Sequence, residues 1–157
     1  MTVTEEVVVS APRHVVWAVV SSIGEAAETI SGIDKVEILE RPASGLVGLK
    51  WRESRTMFGK TATETMWVTE AEEDSGYATE ARSHGSIYRS RVRLADAPEG
   101  TLLGMDFSAE PVTLPVRVLS VLLRPLMARS VSKALRQDLL DLKAAAESRA
   151  ESNERST

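Results

Sequence analysis

Residues 101–146 read TLLGMDFSAEPVTLPVRVLSVLLRPLMARSVSKALRQDLLDLKAAA, and the change of rhythm inside them decides the fold. Leu103, Met105, Phe107 and Ala109 recur at every second position, the period of a strand with one covered face. Beyond Pro111 the apolar residues fall at Leu119, Leu122, Leu126, Val131, Leu135, Leu139, Leu142 and Ala146, which is helical spacing. A strand therefore hands over to a long helix near Pro111. Pro125 lies inside that helix and should kink or break it, because it removes a backbone donor.

Upstream the period of two continues. Strands are expected at Lys35–Glu40, Leu46–Met57, Lys60–Glu70, Gly76–Ser83, Ser86–Ala95 and Thr101–Glu110, separated by turns that contain Gly or Pro where the backbone must leave the strand region. Val3–Val9 reads as a further strand. Ser10-Ala11-Pro12 ends it and opens a helix with Pro12 in the first turn, where its missing N–H costs nothing. Val15, Val16, Val19 and Val20 form that helix's apolar stripe, and a second short helix runs from Glu25 to Ile30, before Gly32. Strand, two short helices, six strands and a long helix make an α+β chain. One face of the antiparallel sheet must be covered, and the C-terminal helix is the element long enough to cover it. The expected organisation is a single domain over residues 1–146 and a polar, frayed tail over 147–157.

The 157 residues suit one domain, and 43% hydrophobic with 27% charged is enough to bury a core. A net charge of −4 argues against nucleic acid as the main partner, which would call for clustered Lys and Arg. The absence of Cys excludes thiolate catalysis, disulfides and zinc–thiolate sites. His14 and His84 lie far apart, offering neither a metal site nor a triad, and no cofactor is implied. The acidic opening Met1–Glu6 is unlike a basic signal segment, so a cytoplasmic protein is expected. The apolar stretch 112–131 is interrupted by Arg117, Arg124 and Arg129, so no spanning helix is expected. Gly59-Lys60-Thr61 mimics the end of a phosphate loop, but Ser54 stands where its first Gly belongs and a strand pattern follows. Arg89, Arg91 and Arg93 read as a solvated outer strand face.

Val9-Ser10-Ala11-Pro12-Arg13-His14-Val15-Val16-Trp17 resembles the apolar-x-Ala-Pro-x-x-Val-Trp opening of the START-like superfamily, in its polyketide cyclase/dehydrase and lipid-transport branch. Trp51-Arg52-Glu53-Ser54-Arg55, the Phe58-Gly59-Lys60 turn with Glu64, and Tyr88 after His84-Gly85 extend the likeness over Thr2–Ala146. It implies the helix-grip fold, a curved sheet of about seven strands around the long helix. It also implies an apolar or amphipathic ligand held between the two. Cyclases of this branch steer a poly-ketone chain with a few polar residues, and Arg55, Trp51 and Tyr88 are the counterparts here.

Strand alternation places Trp51, Glu53 and Arg55 on one face, Glu64, Met66 and Val68 on the face beside it, and Tyr88 and Ser90 on a third strand's inner face. Buried charges must pair, so Glu53, Arg55 and Glu64 are expected to form a network. In one reading the network is structural. In the other, Arg55 presents its donors to a ligand carbonyl or carboxylate, with Tyr88 beside it and Glu53 or Glu64 as a general base. Arg55, Tyr88 and Glu53 are thus the catalytic candidates. The ligand-binding set is Trp51, Arg55, Glu64, Met66, Tyr88, Met105, Phe107, Leu119 and Leu122, with Val16 and Val68 as further apolar walls. The leading function is binding of a small hydrophobic or aromatic ligand, a lipid or polyketide-like metabolite. A polyketide cyclase, aromatase or dehydrase is the first alternative. A peripheral membrane module acting through Leu114–Arg129 is the second, without stable insertion.

Overall fold

Seven strands and one long helix carry about two thirds of the chain in the computed structural model, which describes residues 1–57 and 59–157. Phe58, at the turn singled out above, lies outside the described residues. The strands are β1 (Thr2–Val9), β2 (Lys35–Glu40), β3 (Lys50–Met57), β4 (Lys60–Glu72), β5 (Gly76–Ser83), β6 (Ser86–Ala97) and β7 (Gly100–Pro111). They form one antiparallel sheet in the order β1-β7-β6-β5-β4-β3-β2. Hairpins link β2 through β7 in sequence. Between β1 and β2 the chain crosses from one sheet edge to the other through α1 (Arg13–Val20), a single 3₁₀ turn (Ile23–Glu25) and α2 (Ala26–Thr29). The last element is α3 (Leu114–Arg155), 42 residues long. This is the α+β, helix-grip arrangement that the sequence implies.

Register slips between Ile38 and Glu40 in β2 and between Val68 and Glu70 in β4 bend the sheet. Its concave face takes the inward residues of every strand: Val7 and Val9, Val36 and Ile38, Trp51 and Glu53, Met66 and Val68, Tyr77 and Thr79, Val92 and Leu94, Leu103 and Met105. Two apolar clusters form there. In one, Val9, Val16 and Leu103 pack against Leu139, Leu142 and Ala146 of α3. In the other, Ile23, Leu49, Trp51 and Val68 pack at the β3–β4 end. Val16 and Val68 are therefore core residues, 1% and 2% exposed. The β5–β6 hairpin turns at His84 (φ 50°) and Gly85 (φ 71°). Gly85 is required there, because a Cβ would meet Thr113 Oγ1 at 2.6 Å, where the chain enters α3.

Several boundaries differ from the sequence reading. Strand β3 begins at Lys50 rather than Leu46, because Gly45 and Gly48 take positive φ and the Leu49 amide donates to the Leu46 carbonyl at 2.9 Å, closing a turn. Helix α3 is continuous through Pro125, since one missing backbone bond leaves the turns on either side intact. It also runs past Glu147 to Arg155. Glu147 accepts from the Ser10 amide at 3.0 Å and from Lys143 at 2.8 Å, and Ala150 packs on the main cluster, so the helix is anchored as far as Ala150, while 151–157 are exposed.

The largest correction concerns the first half of α3. Leu119 and Leu122 were expected to cover the sheet, yet they are 55% and 75% exposed. The step from Leu126 to Val131 is the reason. Five residues turn an α-helix by about 500°, so the stripe jumps by roughly 140°. Leu135, Leu139 and Leu142 face the sheet, and the Leu119–Leu122–Leu126 stripe consequently points away from it. On the outer sheet face Arg89, Arg91 and Arg93 pair with Glu110, Glu70 and Asp106 at 2.7–2.9 Å.

Leu139 is 1% exposed at the centre of the sheet–helix core. Leu139→Ala should cost about 2–5 kcal/mol in chemical denaturation. The equivalent truncation at exposed Leu122 should stay within about 0.5 kcal/mol.

Candidate functional site

Where the bent sheet and the second half of α3 diverge, the two clusters leave a cavity of about 270 Å³. Its floor is the concave sheet face: Trp51, Glu53, Arg55 and Met57 of β3, Met66 of β4, Tyr77 and Thr79 of β5, Ser90 and Val92 of β6, Met105 and Phe107 of β7. Val131, Ala134, Leu135, Asp138 and Leu142 of α3 form one wall, and Ile23, Ala26, Ile30 and Ile33 the other. A second opening, bordered by Gly32, Arg55, Met57, Arg129, Lys133 and Asp138, adjoins it along α3.

One charged group dominates the wall. The Arg55 guanidinium donates Nη1 and Nη2 to the two carboxylate oxygens of Asp138 at 3.1 and 2.8 Å, and Nε to Glu53 at 2.9 Å. Asp138 is 3% exposed, and the fork ties β3 to α3. Gly32 lies against the pair: a Cβ there would sit 3.2 Å from Arg55 Nη1. Burial works against the arginine's charge, but the Asp138 hydrogen bonds and the field of Glu53 hold its pKa above the ordinary value. Two carboxylates share this one cation, which leaves a net charge of −1. Burial pushes the Asp138 carboxyl above its usual range; Arg55 pulls it down, and Glu53 and Asp141 add to the rise.

The expected network was Glu53–Arg55–Glu64; the observed one is Glu53–Arg55–Asp138. Glu64 stands opposite Glu53 in the β3–β4 register, whereas Arg55 stands opposite Ala62 and reaches up to the helix. Glu64 does not line the cavity. Its carboxylate lies 3.8 Å from His84 Nδ1. Tyr88 is also outside the lining, stacked on Phe107 with ring centroids 5.9 Å apart, one ring farther from the cavity. Leu119 and Leu122 are on the exposed half of α3. Trp51, Glu53, Arg55, Met66, Met105 and Phe107 all lie at the cavity.

Sequence reasoning missed Asp138 and Tyr77. The signal for Asp138 was present: an acid three residues after Leu135 and four before Leu142, on the core stripe of α3, must find a cation. Tyr77 shares an alternating strand face with Thr79. It is fixed by donating to the Val20 carbonyl at 3.1 Å and by an edge contact with Trp17. Burial, with Glu53 adding, pushes its phenol up, so it stays protonated. Trp51 is 3% exposed, and its Nε1 is buried with no hydrogen-bond partner among the described residues.

The shared guanidinium makes two measurable demands. Arg55→Met strands two carboxylates and should destabilise by about 3–5 kcal/mol; adding Asp138→Asn should recover part of the loss, so the two changes are non-additive in a double-mutant cycle. The pH dependence follows from the direction of the Asp138 shift. A folded-state value above the unfolded one, about 3.9, makes a contribution that is complete below that pH and lost as pH rises through the raised value. The stability of the native protein relative to Asp138→Asn should therefore shrink as the pH is raised from about 4. Asp106 runs the other way: the Arg93 hydrogen bond holds it down against burial, so its contribution is lost as pH falls.

Solved structures share the fold, three of them as follows. The aromatase/cyclase Zhui from Streptomyces sp. R1128 aligns with TM-score 0.75 at 19% identity, over 95% of this chain and 94% of that one. The di-domain aromatase/cyclase StfQ of the steffimycin biosynthetic pathway aligns with TM-score 0.78 at 16% identity, over 96% of this chain and 51% of its own. A START superfamily protein from Mycobacterium smegmatis aligns with TM-score 0.66 at 22% identity, over 96% and 97%. No curated protein matches the sequence. The profile of the family described as "Polyketide cyclase / dehydrase and lipid transport" matches residues 1–147. The Ala11-Pro12…Val16-Trp17 opening, the seven-stranded grip on α3 and that match over nearly the full length agree: the chain belongs to the polyketide cyclase/dehydrase and lipid transport family.

Proposed function

We propose that the cavity binds a compact apolar ligand, aromatic or polyketide-like, that carries a hydroxyl donor. The observation that carries this reading is the commitment of Arg55 to two acids. Three of its five N–H groups donate to Glu53 and Asp138, and those two carboxylates already outnumber its one charge, so it offers little to a ligand carboxylate. The surplus acceptor capacity of the two acids suits a phenol or enol instead. Trp51 Nε1 is a buried donor without a partner, and an acceptor oxygen reaching it would remove a penalty of about 1–3 kcal/mol. Volume argues the same way. At about 270 Å³ the cavity is at the small end of ligand sites, which span ~300–1,000 Å³; it favours one or two rings over a diacyl lipid.

The enzyme reading has its own support, because Asp138 is an acid pushed upward at the wall of an apolar cavity, the environment in which carboxylates work as proton acceptors. In that reading Asp138 or Glu53 takes a proton from carbon flanked by two ketones. Arg55 holds the acids in place, and Tyr88, stacked behind Phe107, shapes the wall.

A neutral fluorescent probe, 1-aminoanthracene, should bind the native protein and be displaced better by 2-naphthol than by naphthalene, and least by 2-naphthoate. Ala134→Trp should fill the cavity and abolish probe uptake. No uptake by the native protein, unchanged uptake by Ala134→Trp, or preference for the naphthoate would overturn the reading. Asp138→Asn should retain probe binding while losing any turnover of a poly-ketone thioester.

A further inference from the structure

The first half of α3 is the most apolar surface of the molecule, and it touches little of the rest. Leu114, Val121 and Leu122 are 73%, 73% and 75% exposed, and Val118, Leu119 and Leu126 are 60%, 55% and 60% exposed. Isolated exposed leucines need no explanation, but a contiguous patch marks a surface that meets something. Helical spacing separates two sides. Arg117, Ser120 and Arg124 recur at i, i+3 and i+7 on one side, and Leu119, Leu122 and Leu126 recur at the same interval on the other.

Charge identifies the occupant. Between Pro111 and Gln137 the sequence has no Asp or Glu, but it has Arg117, Arg124, Arg129, Lys133 and Arg136. Arg136 reaches Glu5 at 3.3 Å. Among the described residues no carboxylate pairs with Arg117, Arg124, Arg129 or Lys133. A wholly cationic rim around an apolar helix face is complementary to an anionic, apolar-cored surface. It is ill suited to a second copy of itself, which would bring the same cations face to face. No helix among the described residues is long and apolar enough to cross a membrane, so such a helix lies in the interface plane rather than spanning it.

We infer that the Leu114–Met127 half of α3 docks on anionic phospholipid bilayers, inserting the Leu119–Leu122–Leu126 face with its arginines at the headgroups. The inference stands apart from what the cavity holds. A consequence does rest on that earlier reading: Arg129 and Lys133 border the opening that Arg55, Met57 and Asp138 also border, so docking brings the opening to the membrane, where an apolar ligand is concentrated.

Vesicle flotation tests it, using phosphatidylcholine alone and phosphatidylcholine with about 30% phosphatidylglycerol. The full chain should float with the mixed vesicles, much less with the neutral ones, and progressively less as salt rises. Arg117→Ser with Arg124→Ser should weaken binding about fivefold per residue, and Leu119→Ser with Leu122→Ser should abolish it. All four side chains are outside the core, so far-ultraviolet dichroism and the melting midpoint should be unchanged, and 1-aminoanthracene binding in the cavity should persist in both double variants. Absence of flotation with the mixed vesicles, or equal binding to both vesicle types, overturns the inference. So does a concentration-dependent dimer that the Leu119/Leu122 variant dissociates, since that would assign the face to a second copy.

Discussion

Arg55 joins the sheet to the helix through hydrogen bonds of 2.8–3.1 Å to Asp138 while its Nε holds Glu53 on its own strand. The bent sheet and α3 converge at the Leu103–Leu139 core and separate toward the β3 end. At that separating end apolar contact alone cannot set the distance between them. The guanidinium sets it, and in doing so keeps the cavity open. A hydrophobic bridge of the same length would collapse inward, because apolar side chains gain by touching each other and Arg–Asp pairs gain only at hydrogen-bonding distance. Gly32, packed against the pair, allows the segment after α2 to close over it.

The same constraint gives the cavity its chemistry. Its wall carries one cation and two acids, in surroundings otherwise made of Ile, Leu, Met, Phe and Val with a few hydroxyls. An isolated arginine would favour anionic ligands. One already held by two carboxylates leaves their acceptors facing the cavity instead, and burial, opposing the surplus negative charge, pushes the Asp138 carboxyl up. The aromatase/cyclases that share the fold, at 16–19% identity, are alike in architecture.

The strands were legible in the sequence because alternation is local: the inward run Leu103–Met105–Phe107 and the hairpin at His84-Gly85 carry their own signals. Family membership was legible in the Ala11-Pro12…Val16-Trp17 opening. The site was only partly legible. Alternation put Trp51, Glu53 and Arg55 on the concave face, but it could not say which carboxylate would meet Arg55, since Glu64 and Asp138 are separated by nearly half of the chain. The arginine's length decided for the helix. Leu119 and Leu122 misled because apolar helical spacing was read as one continuous stripe. The five-residue step at Leu126–Val131 changes its phase, and a composition rich in Leu and Val hides the change. Tyr88 was read as inward from strand alternation and from the resemblance, yet Tyr77 and Thr79 of β5 line the cavity while Tyr88 stands behind Phe107.

The claim on which these points converge is that the Arg55–Asp138 bridge props open a cavity that takes a hydroxylated apolar ligand. Nitrogen-15 NMR tests it directly through the side chains involved. With 2-naphthol added, the account predicts that the Trp51 indole N–H and the Arg55 Nε–H signals shift together and saturate at one equivalent, while those of Trp17 and Trp67 move little. Shifts confined to Leu114–Met127, with Trp51 and Arg55 unmoved, would contradict it.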